Sequence, residues 1–200
     1  MAIESATIEG GGSRTVVANQ FVYAGWWPRL GAHLLDLVVV VPYALGMGKL
    51  MWSSRYGFAW NLIGGTGVTV LYLYCIVRFG GTPGKLILKL RILNQDGSRV
   101  GYRGAILRNL VMCVYWDAQI LGLLLGAMSI TDAEYAAISS GKHARQHLEE
   151  RAPAWYQPVE TAASIWLVAD VVCFFANKKR RALHDFMGGT VVVRLGKVTE

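Results

Sequence analysis

Apolar and polar positions divide the chain into four long hydrophobic runs separated by shorter charged segments. The runs cover about residues 30–50, 58–78, 107–130 and 159–177. A helix rises about 1.5 Å per residue, so about 20 residues cross the roughly 30 Å hydrocarbon layer of a bilayer. Each run therefore predicts a transmembrane helix. Between the second and third runs the period changes. Leu88-Lys-Leu-Arg-Ile92 alternates with period two, as a strand does, and Asp96-Gly97 is a hairpin turn signal. Thr190-Val-Val-Val193 predicts a further strand. The expected fold is an all-α membrane protein, a four-transmembrane-helix bundle with a short cytoplasmic β-hairpin and a C-terminal strand. Residues 1–20 are polar, with Gly10-Gly-Gly12 at their centre, and predict a flexible cytoplasmic tail ahead of a membrane domain over 21–195. Within that domain Phe21–Pro28 is an aromatic, interfacial lead-in to the first span, and 131–158 is an extracytoplasmic loop.

Composition supports the membrane reading. Hydrophobic residues make up 54% of the 200 positions and charged residues 16%, against about 25% charged in soluble domains. The formal net charge of +7 would suit nucleic acid, but the basic residues lie where cytoplasmic loops are expected to carry them. Fifteen Lys and Arg fall in the tail, the 78–108 segment and the C-terminal segment, and five on the other side. Both termini are thus predicted to be cytoplasmic, with no nucleic-acid role. Cys75, Cys113 and Cys173 sit in apolar runs without disulfide or zinc spacing. Roughly the first 25 residues lack a charged head followed by an apolar core, so no signal peptide is expected. Gly64-Gly-Thr-Gly67 lacks the Lys-Ser or Lys-Thr of a phosphate loop and reads as a site of close helix approach.

The candidate chemistry is charge inside the bilayer. Arg29, His33 and Asp36 project from one narrow helical face, and Asp117 and Asp170 are further acids within spans. One reading is a cation or proton path through Asp36, His33, Asp117 and Asp170, because exchange needs an acid that takes up a proton and a cation in turn. The other is structural: Arg29 pairs with Asp36 or Asp185 and fixes the first helix against the cytoplasmic loops. Arg108 and Asp117, nine positions apart, point to opposite faces of one helix. The basic 79–103 loop, with Thr82, Gly84, Lys85, Lys89 and Arg91, is expected to meet anionic lipid headgroups. His143 and His147 are four apart without a third ligand, and His184-Asp185 has no nucleophile beside it. No metal, cofactor or enzymatic activity is expected.

Three stretches together resemble the RDD family of membrane proteins, named for an arginine and two aspartates. Ala24-Gly-Trp-Trp-Pro-Arg29-Leu-Gly-Ala-His-Leu-Leu-Asp36 is similar to its opening motif. Gly80-Gly-Thr82-Pro-Gly84-Lys85, continuing to Arg91 and Asp96-Gly97, is similar to its glycine-threonine-glycine-lysine loop. Arg181-Ala-Leu-His184-Asp185-Phe-Met-Gly-Gly189-Thr190 resembles the closing motif. The resemblance implies a multi-pass protein of the bacterial cytoplasmic (inner) membrane, with Arg29, Asp36 and Asp185 as the family's named residues. Asp117 and Asp170 are outside that set. Some members are linked to sodium/proton antiport and others resemble accessory partners of larger assemblies. Two functions follow: proton-coupled cation transport by a homo-oligomer, since four spans without a repeat make a poor transporter alone, or a non-catalytic accessory or assembly subunit of another membrane complex.

Overall fold

A computed structural model describes residues 21–195; the expected tail over 1–20 lies outside them. Its elements in chain order are β1 (Phe21–Tyr23), α1 (Trp26–Ser53), α2 (Gly57–Phe79), α3 (Pro83–Ile87), β2 (Leu90–Asn94), α4 (Tyr102–Met128), α5 (Asp132–Ser139), α6 (Ala144–Glu149), α7 (Tyr156–Ala176), α8 (Leu183–Met187) and β3 (Thr190–Leu195). Among the described residues four helices, α1, α2, α4 and α7, are long and apolar enough to cross a membrane. Helices suit this setting because they satisfy nearly every backbone polar group internally. Pro42 lies within α1, as membrane helices tolerate.

The helices begin earlier than the hydrophobic runs. Trp26, Trp27 and Pro28, the end of the aromatic lead-in, form the first turn of α1. α4 starts five residues ahead of its apolar run, at Tyr102. Hydropathy marks the lipid-facing part of a helix, whereas backbone hydrogen bonding continues into the interface. The aromatic lead-in is also partly a strand. β1 pairs antiparallel with β3, Phe21 opposite Leu195, and β2 pairs antiparallel with the other edge of β3, Leu90 opposite Arg194. The sheet order is β1-β3-β2. The expected hairpin around Asp96-Gly97 is reduced to a turn and a single bridge between Leu93 and Arg99, because β2 finds its main partner in β3 instead.

Burial concentrates at the two ends of the bundle. At the sheet end Ala32, Ile76, Leu90, Ile92, Ala105 and Val192 form one apolar cluster. At the opposite end Phe58, Leu123, Tyr135, Leu148 and Tyr156 form another, under α5 and α6. Between them the spans bury little against one another: 6% of the α7 apolar window and 28% of that of α4 are buried. The rest of their apolar surface faces outward from the chain.

Candidate functional site

The sheet end holds the charged residues, and Asp185 is at their centre. It is the third residue of α8 and has no exposed surface. Its Oδ2 accepts from the Ala182 N–H at 3.1 Å and from Arg29 Nη1 at 2.7 Å. Its Oδ1 accepts from Arg108 Nη1 and from the Thr190 hydroxyl at 3.3 Å. A carboxylate offers about four acceptor positions, and here all are taken. Arg29 also donates to the carbonyls of Arg180 at 2.6 Å and Ala24 at 3.2 Å, and lies 5.0 Å from the centre of the Phe174 ring. Arg108 donates to the Thr190 hydroxyl at 2.8 Å. One buried acid thus ties α1, α4, α8 and β3 together. Arg181 donates to the backbone carbonyls of Thr190 and Asp185 and stacks over Phe186.

Asp36, about two turns beyond Arg29 along α1, does a different job. Its carboxylate accepts from the Thr82 hydroxyl at 2.6 Å and the Gly84 N–H at 2.7 Å, seating the start of α3 against α1. Gly84 permits this approach, because a Cβ there would collide with the Ala32 carbonyl oxygen. A similar approach brings α8 onto α4, where a Cβ on Gly188 would lie 2.8 Å from the Gly104 carbonyl oxygen. Arg29 therefore pairs with Asp185 and not with Asp36, although Asp36 shares its helix face.

The loop expected at the lipid surface is largely turned inward. Thr82, Gly84 and Lys85 are buried; of the five residues Lys89 alone is exposed, and Arg91 is half-buried. Docking on Asp36 pulls the first three under α1. The Lys85 Nζ reaches the Thr82 hydroxyl at 3.5 Å.

Asp170 on α7 accepts from the backbone N–H of His184 at 2.9 Å and pairs with its Nδ1 at 2.8 Å. On the other side of the ring, Nε2 faces Arg108 Nη2 at 2.9 Å. A guanidinium can only donate, so Nε2 accepts, Nδ1–H donates to Asp170, and the imidazole is neutral. Burial, followed by the Arg108 charge, holds the His184 pKa down at about 4, against the opposing pull of Asp170.

Two cavities meet at this cluster. One, of about 450 Å³, lies between α1, α2 and α4; the other, of about 210 Å³, lies between α1, α4 and α7. His33, Lys85, Arg108 and His184 line both. Asp36 lines the larger and Asp170 the smaller. Asp117 lines neither, being about 13 Å further along α4 than Arg108. The structure thus gathers Arg29, His33, Asp36, Asp170 and Asp185 at one end and leaves Asp117 apart. Sequence reasoning did not assign Arg108, Arg181, His184 and Thr190 to the site. An arginine inside an apolar run was the available signal for Arg108, which is 77 positions from its acid.

No curated protein and no solved structure matches the chain. The RDD family model matches residues 23–189, a stretch that begins at the strand leading into Arg29 and ends just after α8. With its named arginine and aspartates in one cluster, this multi-pass membrane chain belongs to the RDD family.

Proposed function

We propose that the chain is a non-catalytic accessory or assembly subunit of a larger complex in the bacterial inner membrane, with the sheet end in the cytoplasm. The observation that carries this reading is the state of the acids. Asp36, Asp170 and Asp185 each hold two or more hydrogen-bond donors from other elements. An acid so engaged fixes helices; it is poorly placed to exchange a proton for a cation. Arg29, Lys85 and Arg108 around the same cavities further oppose cation entry. Both ring nitrogens of His184 are occupied, which supports a non-enzymatic role. The test is purification in mild detergent followed by mass spectrometry. A stoichiometric membrane-protein partner is expected; a lone monomer or homo-oligomer would count against the proposal.

A second reading, proton-coupled cation exchange by an oligomer, is favoured by one observation: Asp36 borders the larger cavity. Vesicles holding the purified chain and a proton gradient would decide it. Collapse of the gradient on adding Na⁺ or K⁺, lost in Asp36→Asn, would support exchange, and no cation-dependent flux would remove it.

A further inference from the structure

We infer that the larger cavity is a binding site for one anionic phospholipid, its phosphate on Lys85 and its acyl chain between α1, α2 and α4. Lys85 is the starting point. The residue is 4% exposed, and its one side-chain hydrogen bond is the long contact to Thr82, whose own hydroxyl proton goes to Asp36. No carboxylate of the described residues lies within the 4.0 Å of an ion pair. A buried ammonium is costly without a counter-charge. The neighbouring acids are already committed: Asp36 to α3, Asp185 to two arginines, Asp170 to His184. The Asp36 carboxylate lies beyond the Thr82 hydroxyl, and an anion from outside the chain would pair with Lys85 directly.

The shape of the cavity indicates what carries that anion. Its polar end has Lys85 together with His33 and Arg108, and the Asp36 carboxylate there is already hydrogen-bonded to Thr82 and Gly84. From there the walls become apolar along all three helices in the same direction: Val40 on α1, Val68 on α2, and Met112 and Trp116 on α4. Val40, Val68 and Trp116 lie about 10–12 Å deeper than His33, Ile76 and Arg108 on their respective helices, and Met112 about 6 Å deeper than Arg108, at about 1.5 Å per residue. The volume of about 450 Å³ falls within the range of small-ligand sites, about 300–1,000 Å³. A cation would meet like charge, and a free phosphate would leave the apolar half unused. A lipid with an acidic head matches both halves and is available from the surrounding bilayer.

The experiment uses the full chain, delipidated in dodecyl maltoside, with thermal unfolding and native mass spectrometry as readouts. Dioleoylphosphatidylglycerol is compared with dioleoylphosphatidylcholine, inorganic phosphate and glycerol phosphate. Phosphatidylglycerol is expected to bind at least about tenfold more tightly than phosphatidylcholine and to raise the unfolding midpoint. Lys85→Gln should abolish that preference, whereas Lys89→Gln, at an exposed lysine of the same segment, should retain it. Met112→Trp narrows the apolar half one turn below Arg108, leaves Lys85 in place and should also lose the lipid, so the test stands even if Lys85→Gln fails to fold. Equal binding of the two lipids, or a preference that survives Lys85→Gln, would overturn the inference. So would inorganic or glycerol phosphate stabilising as well as the lipid, or phosphatidylglycerol binding unchanged in Met112→Trp.

Discussion

Asp185 and Asp36 are both buried acids of the family motif, yet their surroundings assign them different energetic weights. Asp185 opposes two arginines in a site with no exposed surface. Replacing it with Asn keeps the shape but leaves Arg29 and Arg108 facing each other without a counter-charge. Removing one partner of a buried ion pair costs about 3–5 kcal/mol. Asp36 instead receives a hydroxyl and a backbone N–H, both neutral donors. An Asn oxygen can still take the Gly84 N–H, and the Thr82 hydroxyl can turn to accept, so Asp36→Asn should cost about 1 kcal/mol. Thermal unfolding in detergent should therefore rank Asp185→Asn well below Asp36→Asn; the reverse order would contradict the assignment of the central acid. For Arg29 the sequence left two pairings open, Asp36 on its own helix face and Asp185 at the other end of the chain, and the spacing along α1 did not choose the one that forms. The role of Arg108 was not legible. Periodicity reports which residues share a helix face, and the acid that Arg108 meets is on another element.

At the level of elements, α8 illustrates how a five-residue helix governs three long ones. Its His184 is held neutral by burial and then by the Arg108 charge from α4, with Arg29 from α1 adding more weakly, against the carboxylates of Asp170 from α7 and Asp185 from α8 itself. With its pKa at about 4 in the fold and 6.5 as the reference value, the unfolded chain binds more protons between those two pH values. Stability from this group is therefore present above pH 6.5 and is lost as pH falls toward 4. One pKa unit corresponds to about 1.4 kcal/mol. The side chain remains 26% exposed, so a loss of about 2 kcal/mol between pH 7.5 and 4.5 is expected. Unfolding measured across that interval should slope downward in the native chain and be flatter in His184→Gln; identical slopes would remove His184 as the cause. The strands were less legible than the helices. The alternation of Leu88–Ile92 marks β2 about two residues early, since Lys89, at φ 57°, belongs to the turn leaving α3. β1 is three residues long, too short for any period to show, and exists because β3 offers it an edge.

For the whole molecule, four spans and a sheet that pairs Phe21 with Leu195 bring both ends of the described chain to one side of the bundle. That the chain crosses a bilayer was legible, because lipid burial leaves a long apolar run in each helix without help from distant residues. Which face of the bundle meets which compartment is a separate question of charge. Fifteen of the 20 Lys and Arg residues belong to the tail and the segments at the sheet end, and such loops are retained in the cytoplasm. Impermeant labelling reads this directly. Cys75, Cys113 and Cys173 are half-buried within spans and can be replaced by Ala to give a clean background. Lys89 at the sheet end and Lys142 between α5 and α6 are both exposed, so a cysteine at either is open to solvent on its own side. In intact cells a membrane-impermeant maleimide should label Lys142→Cys and spare Lys89→Cys, and in inside-out vesicles the order should reverse. Labelling of Lys89→Cys in intact cells would turn the molecule over. The buried Asp185 cluster would then lie at the outer face, where the excess of basic loops would have no anionic cytoplasmic leaflet to meet.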